Sequence, residues 1–435
     1  MRKLEDVLKW VVQGQHFVNA YQAVRQNKGA PGIDGLSVED MKKYLPAHWN
    51  EVKESILDGS YYPSPVRSVS IPKGSGGKRI LGIPTVMDRI IQQSIHQLLS
   101  RRWEPLFSEY SYGFRSKRSA HDALHQATEY INEGRQWIID LDLKSFFDKV
   151  DHDKLIHLIR NQVADKGLLQ LIRRYLQCDM VKGKQRIKRR CGTPQGGPLS
   201  PLLSNVLLNE LDKELEKRGH KFVRYADDCS IFLKSKRSAE RVLQSITRFL
   251  QDKLLLEVNQ KKTTICRPVN FNLLGHGYVA SYKKGDKGKY RLCISKPSWQ
   301  RLKDKIKVIT RKTSPIPFEE RIERLNYLMR GWLNYFRHAT GQEKLRYLDS
   351  WIRCRLRYCI WKAWKKPKRR IRAFIQLGIS RSWAIRFGYS RMGGWAIACS
   401  PIMGTTITEA RLRQKGYIPF QEYYHKLRKE NRKKK

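Results

Sequence analysis

The sequence predicts an α+β core followed by a helical, strongly basic C-terminal region. Three observations lead to that expectation. Strand-like and helix-like apolar spacings alternate up to about residue 285, and from about residue 297 only the helical spacing remains. Residues 351–435 hold 23 Lys or Arg against three Glu and no Asp. The chain has 435 residues, of which 40% are hydrophobic, enough for a large core. Its length suggests about three domains.

The charge narrows the function. Lys and Arg number 87 against 40 Asp and Glu, a formal net charge of +47. A compact chain with that excess repels itself unless a polyanion neutralises it, and nucleic acid is the usual one. A ribosomal protein is equally basic but rarely carries so large an apolar fraction. The eight cysteines form no CxxC pair and no zinc-type cluster with histidine, so they read as reduced thiols of a cytoplasmic protein. Glu5, Asp6 and Lys9 break any N-terminal signal-like apolar stretch. No run reaches the ~18 apolar residues that would suggest a membrane span, so no membrane partner is expected.

The elements follow in order. Leu4, Val7, Leu8, Val11 and Val12 predict an amphipathic N-terminal helix, and Gly29, Pro31 and Gly32 mark a loop over 27–35. Alternation over 66–84 predicts a hairpin turning at 74–77. Val86, Ile90, Ile91, Ile95, Leu98 and Leu99 predict a helix over 86–103. A strand is expected over 137–143, helices over about 151–178 and 200–218, and a hairpin over 222–233. A helix around Val242, Ile246, Phe249 and Leu250 and a strand pair within 263–279 complete the core.

The chemistry centres on Tyr225-Ala-Asp-Asp228, between two short β-prone runs. Asp227 and Asp228 therefore fall at a hairpin turn. An Asp-Asp turn alone is ordinarily just solvated. Here, however, Asp142 ends another apolar strand, Trp137-Ile-Ile-Asp-Leu-Asp142, and its carboxylate can reach a neighbouring hairpin. Adjacent acids flanked by apolar strands repel and lose solvation unless a cation satisfies them, and oxygen ligands favour Mg²⁺. Asp142 with Asp227 suits two ions ~3.5–4 Å apart, the arrangement for in-line displacement at phosphorus.

These residues resemble the catalytic boxes of reverse transcriptases, and their surroundings resemble group II intron enzymes in particular. The resemblance runs in order through Asn27–Gly35, Ile71-Pro-Lys73, Gly77–Arg89, Tyr112–Arg115, Ser119–Ala123, Gly192–Ser200, Asn259–Thr263, Leu274-Gly275 and Arg330–Phe336. The sequence thus resembles a group II intron-encoded reverse transcriptase/maturase of the type lacking an HNH endonuclease domain. The resemblance implies a right-hand polymerase with fingers and an antiparallel palm sheet, a helical thumb and a basic C-terminal DNA-binding domain. The domains expected are an N-terminal extension at 1–47, fingers and palm at 48–285, thumb or maturase domain at 286–365 and the basic domain at 366–435.

The resemblance also implies residue roles. Asp142, Asp227 and Asp228, with the Leu143 backbone carbonyl, would hold two Mg²⁺ ions. Lys262 would donate a proton to pyrophosphate. Arg67, Lys73 and Arg79 would clamp the deoxynucleoside triphosphate, and Phe147 would clash with a ribose 2′-hydroxyl. Gln195, Gly196 and Tyr225 would border the nascent base pair. The implied partners are an RNA template, an intron RNA and a DNA primer or target. A splicing-only maturase and a domesticated polymerase serving DNA repair or phage defence are the alternatives.

Overall fold

The computed structural model describes residues 3–72, 77–282 and 284–433. They form two compact units, Met1–Pro268 and Val269–Lys435. The helices of the first unit are α1 (Val7–Val11), α2 (Gly14–Gln26), α3 (Met41–Leu57), α4 (Val86–Trp103), α5 (Ala120–Asn132), α6 (Phe146–Lys149), α7 (His152–Arg160), α8 (Lys166–Gln177), α9 (Ser200–Lys217) and α10 (Lys236–Leu254). Its strands are β1 (Val66–Pro72), β2 (Lys78–Ile83), β3 (Trp137–Leu141), β4 (Met180–Lys182), β5 (Gln185–Ile187), β6 (Lys221–Tyr225), β7 (Asp228–Leu233) and β8 (Thr264–Cys266). They make two four-stranded sheets, ordered β2-β1-β4-β5 and β6-β7-β3-β8.

The second sheet positions the chemistry. It is antiparallel throughout, with β3 between β7 and β8. Alternation along β3 sends Ile139 and Leu141 to one face, where they join Cys229 and Ile231 of β7 in the main core. Leu207, Leu211 and Leu215 of α9 and Ile246 and Leu250 of α10 belong to the same core. The opposite face of β3 carries Asp140 and, one residue past the strand, Asp142.

The first sheet is anchored through α4. Thr85 caps this helix by accepting from the Asp88 amide. Asp88 is wholly buried, and its carboxylate accepts from Thr85 Oγ1 (2.7 Å), Tyr61 Oη (2.8 Å), Ser64 N (3.2 Å) and Tyr175 Oη (3.2 Å). One carboxylate thereby ties α4 to α8 and to the segment leading into β1. The loop before α3 also lies against α4. A Cβ at Gly32 would stand 2.5 Å from Thr85 Cα, so the contact itself requires glycine.

The second unit opens with a three-stranded sheet of β9 (Asn272–Leu273), β10 (His276–Ala280) and β11 (Tyr290–Ile294). Helices α11 (Lys296–Ile309), α12 (Phe318–Tyr335) and α13 (Gln342–Ala363) follow. After them come α14 (Pro367–Gln376), α15 (Arg381–Gly388), α16 (Gly394–Ala398), α17 (Pro401–Thr406), α18 (Glu409–Gln414) and α19 (Phe420–Lys433). Leu302 and Ile306 of α11, Leu325 and Met329 of α12 and Leu345 and Ile352 of α13 share one core. No helix of the described residues is long and apolar enough to cross a membrane.

Three sequence expectations are revised. The N-terminal helix is shorter than expected: α1 spans Val7–Val11, Leu4 bridges instead to Val163, and α2 starts afresh at Gly14, which takes φ +59°. The strand pair expected within 263–279 does not form as one unit: β8 adds to β3, while β9 and β10 belong to the other sheet. The short strands β4 and β5 were not foreseen, being three residues each and mostly exposed. Residues 73–76, including Lys73 and most of the expected hairpin turn, lie outside the described residues.

Burial lifts the Asp88 carboxyl above its ordinary value of 3.8, although its four donors oppose the shift. The folded state therefore holds this proton more tightly than the unfolded chain does. Its contribution to stability is full below the unfolded value and is lost as pH rises through the folded value. Asp88→Asn keeps the shape but turns an amide donor toward the donors, and should cost ~1–3 kcal/mol. Urea midpoints of the two proteins should differ most at acid pH and converge as pH rises; a gap that widens with pH would contradict this account.

Candidate active site

The Asp227–Asp228 pair sits where the β6–β7 hairpin closes on a two-residue loop. Tyr225 pairs with Asp228, leaving Ala226 and Asp227 as the loop, and Ala226 has φ +59°. Tight hairpins need such a conformation, and a residue other than glycine holds it at some cost. The support comes from beneath. Arg224, wholly buried, donates to the Ala226 carbonyl (2.9 Å) and to Asn205 Oδ1 (2.8 Å). It also makes a two-pronged contact with Asp212 of α9, at 2.7 and 2.5 Å, with both side chains fully enclosed. Asn205 in turn donates to the Gly113 carbonyl (2.9 Å). A Cβ on Gly113 would stand 2.3 Å from the Ala226 amide nitrogen, so the backbone there packs directly on the turn.

The register of β3 against β7 brings the acids together. Leu141 pairs with Cys229 and Asp140 with Ser230, which sets Asp142 across from Asp228 on the same face. Enclosure by protein pushes the Asp228 carboxyl up to about 6, with repulsion from Asp227 and Asp142 adding to it, even though its tip is open to solvent. Asp140 is also lifted to about 6, by burial first and then by Asp228 and Asp142. Burial raises Asp227, while Arg79 and Lys262 pull it back.

Asp142 is clasped by the turn at 259–263. Its carboxylate accepts from Asn259 Nδ2 (3.2 Å) and from Lys262 Nζ (3.3 Å). The Asn259 amide bonds the Asp142 carbonyl (2.8 Å), and the Asp142 amide reaches Thr263 Oγ1 (3.1 Å). Leu143 bridges to Val258, but the ladder there uses the Asp142 carbonyl and the Lys144 amide, leaving the Leu143 carbonyl outside it. Among the described residues, no three His, Cys, Asp or Glu side chains stand in a geometry that holds a metal ion. The donor set is nevertheless of the right kind: all oxygen and crowded, with the Asp227 and Asp228 carboxyls raised by burial first and then by neighbouring carboxylates.

Beside these acids lies a cavity of about 550 Å³ whose walls include Arg79, Leu81, Phe147, Gln195, Gly196 and Asp227. Arg79 faces Ile71 across the β1–β2 hairpin, on the same face as Leu81. Phe147 sits in α6, where Lys144 and Lys149 both pair with Glu257 and so brace the segment carrying it. The loop over 192–197 joins these two walls. Thr193 N donates to the Phe147 carbonyl (2.6 Å), and Gly82 N donates to the Gln195 carbonyl (2.8 Å). Gly196 has φ +135°, and a Cβ there would meet the Gly82 carbonyl at 2.5 Å.

Of the residues singled out in the sequence, Arg79, Phe147, Gln195, Gly196 and Asp227 line one cavity. Asp142, Asp228 and Lys262 lie within electrostatic reach of Asp227 or its neighbour. Arg67 shares the hairpin face with Arg79 but sits opposite Ile83, at the far end, and its buried Nε has no hydrogen-bond partner. Tyr225 is half-buried at the start of the turn and is not among the cavity walls. Sequence reasoning missed Asp140 and the Arg224–Asp212–Asn205 support. The available signal was an arginine inside an otherwise apolar strand.

Comparison with known proteins agrees with this arrangement. Residues 71–278 match the family described as reverse transcriptase (RNA-dependent DNA polymerase), and residues 299–375 match the group II intron maturase-specific domain. Protein YkfC of Escherichia coli K12 is 30% identical over 337 residues, which cover 68% of this chain and 88% of YkfC. The chain belongs to the group II intron-encoded reverse transcriptase/maturase family. The intron-encoded protein LtrA of Lactococcus lactis is 32% identical over 329 residues, covering 59% of this chain and 53% of LtrA. The chain thus spans about half the length of that relative.

For this family member, the pair beneath the turn is directly testable. Arg224→Met leaves Asp212 charged and unpaired in a dry interior, and should cost ~3–5 kcal/mol in urea unfolding. Adding Asp212→Leu should restore most of that loss. A double variant no more stable than the single one would sink this account.

Proposed function

We propose that the chain is an RNA-directed DNA polymerase that extends a DNA primer on an RNA template, and that it also binds an intron RNA to assist splicing and mobility. The observation that carries the reading is the convergence of Asp142, Asp227 and Asp228 beside a cavity walled by Arg79, Phe147, Gln195 and Gly196. In this reading the region 48–285 forms fingers and palm, 286–365 the thumb and 366–435 a basic DNA-binding domain, with 1–47 as an N-terminal extension. The β1–β2 hairpin belongs to the fingers, and the β6-β7-β3-β8 sheet is the palm.

Two Mg²⁺ ions, when bound, would activate the primer 3′-hydroxyl and neutralise the triphosphate. Asp142, Asp227, Asp228 and the Leu143 carbonyl are the groups that would hold them. Arg79, a wall of the same cavity as Asp227, would meet the triphosphate through its guanidinium, and charge-assisted bonds of that kind are strong and directional. Lys73 and Arg67 would add positive charge along the hairpin. Lys262, already paired with Asp142, would donate a proton to the departing pyrophosphate. Phe147 would fill the space that a ribose 2′-hydroxyl needs. The backbone at Gln195 and Gly196, with Tyr225, would border the nascent base pair.

Primer extension tests the reading directly. Purified protein with Mg²⁺ should add deoxynucleotides to a DNA primer on an RNA template. Asp227→Ala should abolish that extension while leaving RNA affinity within about twofold, a change under ~0.5 kcal/mol. An extending Asp227→Ala enzyme would remove the basis for the metal assignment. Phe147→Ala should admit ribonucleotides in single-nucleotide incorporation. Sugar discrimination equal to that of the unmodified enzyme would mean that another group sets it.

A further inference from the structure

We propose that the groove between α11 and α13 holds a short unpaired stretch of RNA, with its bases on an aromatic floor and its phosphates along a lysine rim. The inference rests on the reading of the chain as an RNA-handling enzyme and locates one surface for that task. The groove has a volume of about 670 Å³ and lies wholly within the second unit. Trp299, Leu348 and Trp351 form its floor. Tyr347 stands at its edge with 68% of its surface exposed, so its ring is open to stacking by a base.

The groove is held open by its ends. Thr340, just before α13, bridges to Cys293, just before α11, with Thr340 N donating to the Leu292 carbonyl (2.8 Å). At the other end, Arg355 of α13 donates to the Thr310 carbonyl (3.2 Å), and Cys359 Sγ reaches the same oxygen (3.3 Å). The two helices therefore run side by side, tied at both ends with open space between. The Arg355 guanidinium also lies 5.2 Å from the Trp351 ring centroid, which braces the indole. A preformed site of this kind binds without first ordering itself.

The rim supplies charge. Lys296, Lys303 and Lys307 fall on one stripe of α11, with rises of about 10 Å and about 6 Å between them. Lys344 faces them from α13. Lys307 is paired with Asp304 (3.3 Å). Among the described residues no salt bridge neutralises Lys296, Lys303 or Lys344. Aromatic faces flanked by cations suit unstacked bases with their backbone, whereas a duplex hides its base faces. The stretch 299–375 matches the maturase-specific domain, which favours RNA over DNA as the occupant.

The test uses the full chain and a short unstructured oligoribonucleotide carrying 4-thiouridine and a fluorescent label. Photocrosslinks should fall within 296–307 or 344–351. By anisotropy, Tyr347→Ala should weaken binding about 5-fold or more, the loss expected for one stacked base. Lys303→Glu should weaken it too and flatten the salt dependence. Both residues are exposed, so neither change threatens folding. The proposal is overturned by crosslinks confined to other segments, by Tyr347→Ala binding as well as the unmodified chain, or by a 4-thiothymidine DNA oligomer of the same sequence crosslinking within 296–307 or 344–351 as strongly as the RNA. Primer extension by the unmodified chain is run in parallel. Its absence would count against the polymerase reading, while the crosslink map would still decide the groove.

Discussion

Arg224 and Asp212 meet where neither has water to fall back on, and everything at the Asp227–Asp228 turn is built above that contact. The guanidinium has five donors in a fixed plane. Two go to Asp212, and its fork also reaches Asn205 and the carbonyl of Ala226. A backbone that needs a positive φ at an alanine is thus held from below by a rigid cation. Enclosed pairs are weak sources of net stability because desolvation offsets their attraction. What this one contributes is placement: it fixes the height of the turn relative to α9, and through the β-ladder the position of Asp142 opposite Asp228.

Above the turn the electrostatics reverse. A chain with a net charge of +47 gathers Asp140, Asp142 and Asp228 on one face at the end of one sheet, with Asp227 on the turn beside them. Burial first, and then the neighbouring carboxylates, lift Asp140 and Asp228 to about 6, and Lys262 and Arg79 moderate the rise at Asp228. In the proposed reaction those two side chains share the acids' company with the incoming charges. In the proposed function the positive excess elsewhere would draw a polyanion in, and the acidic face would set where metal-dependent chemistry takes place on it.

Long elements with a clean period were legible in the sequence. The α4 helix spans the predicted 86–103, and the β1–β2 and β6–β7 hairpins lie where alternation put them. Short strands such as β4 and β5 were not, because three residues, partly or wholly exposed, carry no period. Partner choice was also hidden: nothing local tells that Thr264–Cys266 pairs with β3 rather than with the strand that follows it. At the site, acids in recognisable boxes were found, whereas Asp140, in the same run as Asp142, was passed over. Ser119 and Asp122 close a capping box at the start of α5, a local role visible in the spacing but not read from it. Arg224 and Asp212 are twelve residues apart and meet only through tertiary folding.

The loop at 192–197 touches both walls of the cavity, one through Phe147 and one through Gly82. With a hydrogen bond at each end and no slack at Gly196, it acts as a strut. A shift of the β1–β2 hairpin toward or away from the acids must then be transmitted to the segment bearing Phe147. Under the role proposed for Phe147, closure over a bound nucleotide and scrutiny of its sugar would become one mechanical event in such a frame, so a poorly fitting occupant would resist the hairpin's movement as well as the ring's.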